Sequence, residues 1–135
     1  MTALLHVDPT DAAPIWRQIE ASVRRLVAAG ALAPGAPVPS VRELARELRI
    51  NPATVAKGYQ RLVDAGVLAV RRGEGTFVAA APPPMDAAER DGALRDGATS
   101  LAALAITLGV DRGEAVGALE AAWDAFEAAR KEAGR

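Results

Sequence analysis

The chain has 135 residues, a formal net charge of −1 and no cysteine; half of it is hydrophobic but only 4% is aromatic. Much of the apolar content is alanine, which buries little surface per residue, so the composition favours a helix-rich fold with burial completed by a partner subunit. The lack of cysteine excludes disulfides, thiolate metal sites and a cysteine nucleophile, and the absence of an apolar run of about 18 residues excludes a membrane-spanning helix.

The length fits one compact domain plus an appendage, or two very small units. The opening Met1–Asp11 lacks a basic region followed by an apolar stretch, so it does not read as a signal peptide and a cytoplasmic protein is expected. Pro14 suits a first helical position, and Ile15, Trp16, Ile19, Val23, Leu26 and Val27 follow at helical spacing up to Gly30. Trp16 on this stripe reads as core or interface. Ala33–Pro39 is a loop by composition.

Ser40-Val41-Arg42-Glu43 has the form of a capping box, in which the hydroxyl and the carboxylate each accept a backbone N–H. Its capping place accounts for Ser40 without a nucleophilic role. Val41, Leu44, Ala45 and Leu48 form the stripe of a short second helix. After Arg49-Ile50, Asn51 and Pro52 open a third helix as N-cap and first residue, with Val55, Tyr59 and Leu62 inward and Gly66 at its end. Two β-prone runs, Val67–Val70 and Thr76–Val78, flank Arg71-Arg72-Gly73-Glu74-Gly75 and predict a hairpin.

Ala79 to Pro84 is a linker, since three consecutive prolines cannot continue a helix or sit within a sheet. The expected organisation is a folded domain over 1–80, a linker over 81–84 and a helical tail over 85–135. In the tail, Leu94, Leu101, Leu104 and Leu108 suggest one helix, with Gly92 and Gly97 arguing against its first half. A second helix capped at Asp111 carries Val116, Leu119, Trp123 and Phe126.

Two short helices joined by a tight turn form a helix-turn-helix pattern. The second of them leaves Pro52, Ala53, Thr54, Lys57 and Arg61 outside, where small residues allow close approach to base edges and the polar ones can donate to bases or phosphates. Arg42 and Arg46 on the preceding helix suit phosphate contact, and Arg72 beside Gly73 suits a minor groove or backbone. Charge supports this placement: residues 1–80 hold ten basic and seven acidic side chains (+3), while residues 81–135 hold six and ten (−4). His6, the only histidine, has no ligand-spaced companions and reads as a surface or dimer-edge residue; no metal or cofactor is expected.

The residues from Pro14 to Val78 resemble the DNA-binding domain of the GntR family of bacterial transcription regulators. The likeness is carried by Pro14-Ile15, Gln18-Ile19, Gly30-Ala31-Leu32, Pro34-Gly35, Pro39–Ala45, Asn51–Val55, Tyr59, Leu62, Ala65-Gly66-Val67 and Arg72–Val78. The short tail is similar to that of the YtrA subfamily, whose members append about two helices. The resemblance implies a winged helix-turn-helix regulator, expected to repress, that binds a palindromic double-stranded DNA operator as a homodimer. It assigns DNA contact to Arg42, Asn51, Ala53, Thr54, Lys57, Arg72 and Gly73; with Ser40, Arg46, Pro52 and Arg61 these make the expected DNA-binding set. Leu101, Leu104, Leu108, Val116, Leu119, Trp123 and Phe126 are the expected dimerisation set. Lys57 stands where the family often has Arg, which removes a bidentate guanine contact. Gly58 stands where Ala is usual, at a cost of roughly 1 kcal/mol in helix stability. Other readings are a winged helix serving protein–protein contact, and the leading part of an aminotransferase-like fusion; the tail is too short for the latter and has only Lys131 as a lysine. The sequence does not name an effector.

Overall fold

The computed structural model describes every residue except Thr2, Ala3, His6 and Arg135, together with the side chain of Ala133. The place expected for His6 therefore lies outside the described residues. The chain divides into two compact units, Met1–Met85 and Asp86–Arg135.

The first unit runs α1 (Ile15–Ala28), α2 (Val41–Leu48), α3 (Pro52–Asp64), β1 (Leu68–Arg71) and β2 (Gly75–Val78). It is a winged helix-turn-helix fold, and its core has one source per element. Ile19, Val23 and Val27 come from α1, Leu44 and Ala45 from α2, and Val55, Tyr59 and Leu62 from α3. Val67, Leu68 and Val78 close it from the hairpin side. On α1 and α3 these positions are spaced three or four apart, the spacing that gathers side chains on one face. Helix α3 packs on both α1 and α2 and so holds the unit together.

Pro14 takes the N-cap position, one residue outside α1, with extended backbone. At α2 the hydroxyl half of the capping box is formed: Ser40 Oγ accepts from Glu43 N–H at 3.1 Å. Asn51 Oδ1 accepts from Ala53 N–H at 2.9 Å and caps α3. The chain leaves α2 through Arg49, at φ 57°, and Ile50 N–H returns to the Ala45 carbonyl at 3.0 Å. Gly66 makes the equivalent exit from α3 at φ 78°.

The hairpin is antiparallel, pairing Leu68 with Val78 and Arg71 with Gly75. The segment before α2, which composition assigns to a loop, pairs with the free edge of β2. Val38 N–H donates to the Thr76 carbonyl at 3.0 Å, Val78 N–H donates to the Ala36 carbonyl at 2.8 Å, and Gly35 N–H donates to the Val78 carbonyl at 3.0 Å. A two-stranded ribbon alone is marginal; this third segment seats it.

The second unit is two helices, α4 (Ala87–Thr107) and α5 (Arg112–Ala133). Asp86 caps α4 and Asp111 caps α5, each carboxylate accepting a backbone N–H at 2.9 Å. Helix α4 runs unbroken through Gly92 and Gly97, against the expectation for its first half. Two glycines cost it about 2 kcal/mol of propensity, less than an Ala- and Leu-rich helix of 21 residues can offset. Ala105 is buried, and the two helices flank an apolar groove of 640 Å³ that includes Leu101, Val116 and Leu119. No described helix is long and apolar enough to cross a membrane.

Candidate DNA interface

Helix α3 is two-sided. Val55, Tyr59 and Leu62 are buried, whereas Pro52, Ala53, Ala56, Lys57, Gln60 and Arg61 are exposed and Thr54 is half-buried. Its angle to α2 is fixed by the Tyr59 hydroxyl, which donates to the Pro39 carbonyl at 2.7 Å, one residue before the α2 cap. Burial, and then the Glu43 and Glu47 carboxylates, push that hydroxyl far above the ordinary tyrosine range. It therefore stays a donor.

The start of α3 is internally satisfied. Pro52 has no N–H, Ala53 N–H is taken by the Asn51 side chain, and Thr54 N–H is taken by the Asn51 carbonyl at 3.0 Å. A phosphate there meets the positive end of the helix dipole but few free donors, so side chains must supply the hydrogen bonds. Ser40 likewise uses its oxygen as an acceptor within the cap, which leaves its O–H free to donate outward.

Arg42 and Arg46 are exposed on α2, one turn apart and away from buried Leu44 and Ala45. At the hairpin tip Arg72 and Gly73 are exposed, and Gly73 at φ 78° and Gly75 at φ 123° make a turn that a side chain would strain. The Arg71 guanidinium lies over the Phe77 ring, 4.1 Å from its centroid, which stiffens the wing just behind its tip.

Three features were not apparent from sequence. Ala56 and Gln60 share the exposed face of α3, and Gln60 is held by Asp64 at 2.9 Å. Arg49 is a further exposed cation in the turn. Lys57 does not stand alone: its ammonium sits 4.5 Å from the centroid of Trp16 on α1. A helical wheel of α3 would have separated the exposed face from the buried one, but not told which cation leans on α1.

In the tail, Leu101 is half-buried, and Leu104, Leu108, Val116, Leu119, Trp123 and Phe126 are exposed. Trp123 remains 63% accessible, with its indole N–H donating to Glu127 at 3.0 Å. These apolar side chains are thus left uncovered among the described residues.

The family described as "Bacterial regulatory proteins, gntR family" matches residues 16–78. The chain is similar to the HTH-type transcriptional regulator Rv1152 of Mycobacterium tuberculosis, 33% identical over 112 residues, covering 83% of this chain and 88% of that one. It is also similar to the HTH-type transcriptional repressor YtrA of Bacillus subtilis, 39% identical over 75 residues. That match covers 56% of this chain and spans 58% of the relative's length. Among solved structures, the DNA-binding domain of AraR in complex with operator ORX1 superposes with a TM-score of 0.50 at 27% identity, over 56% of this chain and 93% of that one.

Proposed function

The chain belongs to the GntR family of bacterial regulators, and from that premise we propose that it is a sequence-specific transcriptional repressor that grips a palindromic DNA operator as a homodimer. The two-sidedness of α3 carries this reading: a rigidly seated inner face presents Pro52, Ala53 and Thr54 at the end that enters a major groove. Arg42 and Arg46 on α2, and Arg72 with Gly73 on the wing, engage the flanking backbone; Ser40, Asn51, Lys57 and Arg61 complete the surface. These contacts anchor and orient, while the small residues at the tip of α3 admit the base edges.

The homodimer is supported by the uncovered apolar side chains of α4 and α5, from Leu101, Leu104 and Leu108 to Val116, Leu119, Trp123 and Phe126. One winged helix touches too few base pairs for tight binding, and a second joined to it makes the other half-site contact effectively intramolecular. Repression follows from occupancy of the operator, in the cytoplasm, with no reaction catalysed and no cofactor required.

Selection from a random DNA pool tests the reading. The expected product is a two-fold symmetric sequence bound by two copies of the chain. A pool that fails to converge, with weak binding to every duplex, would instead favour a winged helix used for protein contact.

A further inference from the structure

Trp16 is the largest side chain near α3 that the DNA-binding set leaves out, and three cations converge on it. The Lys57 ammonium lies 4.5 Å from the ring centroid, and the guanidinium carbons of Arg17 and Arg61 lie 5.3 and 5.4 Å from it. Lys57 and Arg61 are four residues apart on one face of α3, whereas Arg17 and Trp16 belong to α1. Glu20, one turn beyond Trp16, holds Arg61 at 3.7 Å.

The convergence has a cause in the packing. Gly58 lies between Lys57 and Arg61 along α3, and with no Cβ it lets the backbone of α1 come against α3 at Trp16 itself. The half-buried indole is thereby carried to the rim of the recognition helix. A ring face is negative and attracts cations, Trp most strongly. Three cations against one carboxylate still leave a net positive cluster, whose mutual repulsion an incoming anion relieves.

Resting on the DNA-binding reading above, we infer that Trp16 is a positioning residue for DNA. Its indole ring gathers Arg17, Lys57 and Arg61 around it into a positive cluster that takes a backbone phosphate beside the groove occupied by α3. Lys57 is then committed to the backbone and not to a base edge, and Arg17 joins the interface. Because phosphate contact carries no base information, the site adds affinity without preference.

The test uses the full chain and two probes: a duplex of mixed sequence, and a duplex selected by the chain from a random pool. Trp16→Leu keeps an apolar side chain and removes the ring face. It should lower affinity for both duplexes alike, by about three- to tenfold, and make the salt dependence of binding shallower by up to about one unit. Trp16→Phe, which restores a ring, should stay within about twofold of the parent. Adding duplex to the parent should shift the indole N–H resonance of Trp16, assigned by its absence in Trp16→Phe. Should Trp16→Leu fail to fold, Arg17→Gln at an exposed position should flatten the salt dependence in its place. Parent-like affinity and salt slope in Trp16→Leu, or in Arg17→Gln, overturn the inference, as does a loss in Trp16→Phe equal to that in Trp16→Leu. A parent that binds neither duplex overturns the DNA-binding reading itself.

Discussion

A Cβ placed on Gly58 would stand 2.9 Å from the carbonyl oxygen of Trp16 and 3.3 Å from Cγ2 of Ile19. Glycine here is a packing requirement between α1 and α3, and its helix-propensity cost is the lesser effect. Alanine would regain about 1 kcal/mol of propensity but overpack a backbone contact at a cost of about 1–3 kcal/mol. Gly58→Ala should therefore unfold at lower urea concentration, by about 1 kcal/mol net. A more stable variant would mean that α1 gives way freely.

The buried Tyr59 hydroxyl makes stability depend on alkaline pH. Its folded pKa is raised, by burial first and then by Glu43 and Glu47. The stabilisation it confers is full below the unfolded value of about 10 and is lost as pH rises above it. Tyr59→Phe should cost about 1 kcal/mol at neutral pH through the lost bond to Pro39. It should also flatten the alkaline decline, measured by urea unfolding at a series of pH values. An equally steep decline in the variant would assign it to other groups.

Arg42 is exposed at the start of α2, beside the Ser40 cap. Arg42→Ala should weaken binding several-fold and lower the salt slope by about one unit. An unchanged slope would place its side chain away from the backbone.

Base reading and backbone grip should separate on α3. Ala53 and Gln60 are exposed without a stacked cation partner, whereas Lys57 lies over Trp16. Ala53→Asn and Gln60→Ala should redraw the sequence recovered from a random pool, while Lys57→Ala should weaken binding to all duplexes alike. Lys57→Ala changing the recovered sequence would reverse these roles.

The exposed side chains of α5 predict the oligomeric state. Charging two of them, as in Leu119→Glu with Trp123→Glu, should convert a sedimenting dimer to a monomer and remove most operator affinity. The helix-turn-helix unit should melt as before. Retention of a dimer would move the interface off this face.

Local chemistry was legible from the residues alone. Ser40, Asn51 and Asp111 each cap the helix that their spacing foretells, because a cap involves only neighbours along the chain. The core stripes of α1 to α3 were legible for the same reason. What escaped depends on partners distant in sequence. The 35–38 segment pairs with β2 although its composition reads as loop, because Gly35 and Val38 supply the donors and Ala36 the acceptor, so that Pro37 is not called on to donate. Gly58 read as a helix defect until α1 lay against it. Trp16 read as core or interface, yet only the crossing of two helices could show its ring facing three cations.

The exit of α2 has its own consequence. Gly30, Gly66 and Gly109 carry the chain out of α1, α3 and α4 in the left-handed region, where glycine is free of strain; at α2 that place is held by Arg49. A left-handed conformation costs an ordinary residue on the order of 1 kcal/mol, and glycine would remove that cost together with the positive charge. Position 49 is therefore a point of opposition, at which the change that hardens the fold thins the electrostatic field beside the recognition helix. A thermostabilised form of this chain reached through that position would be a weaker reader of DNA, and the two properties cannot be raised together there.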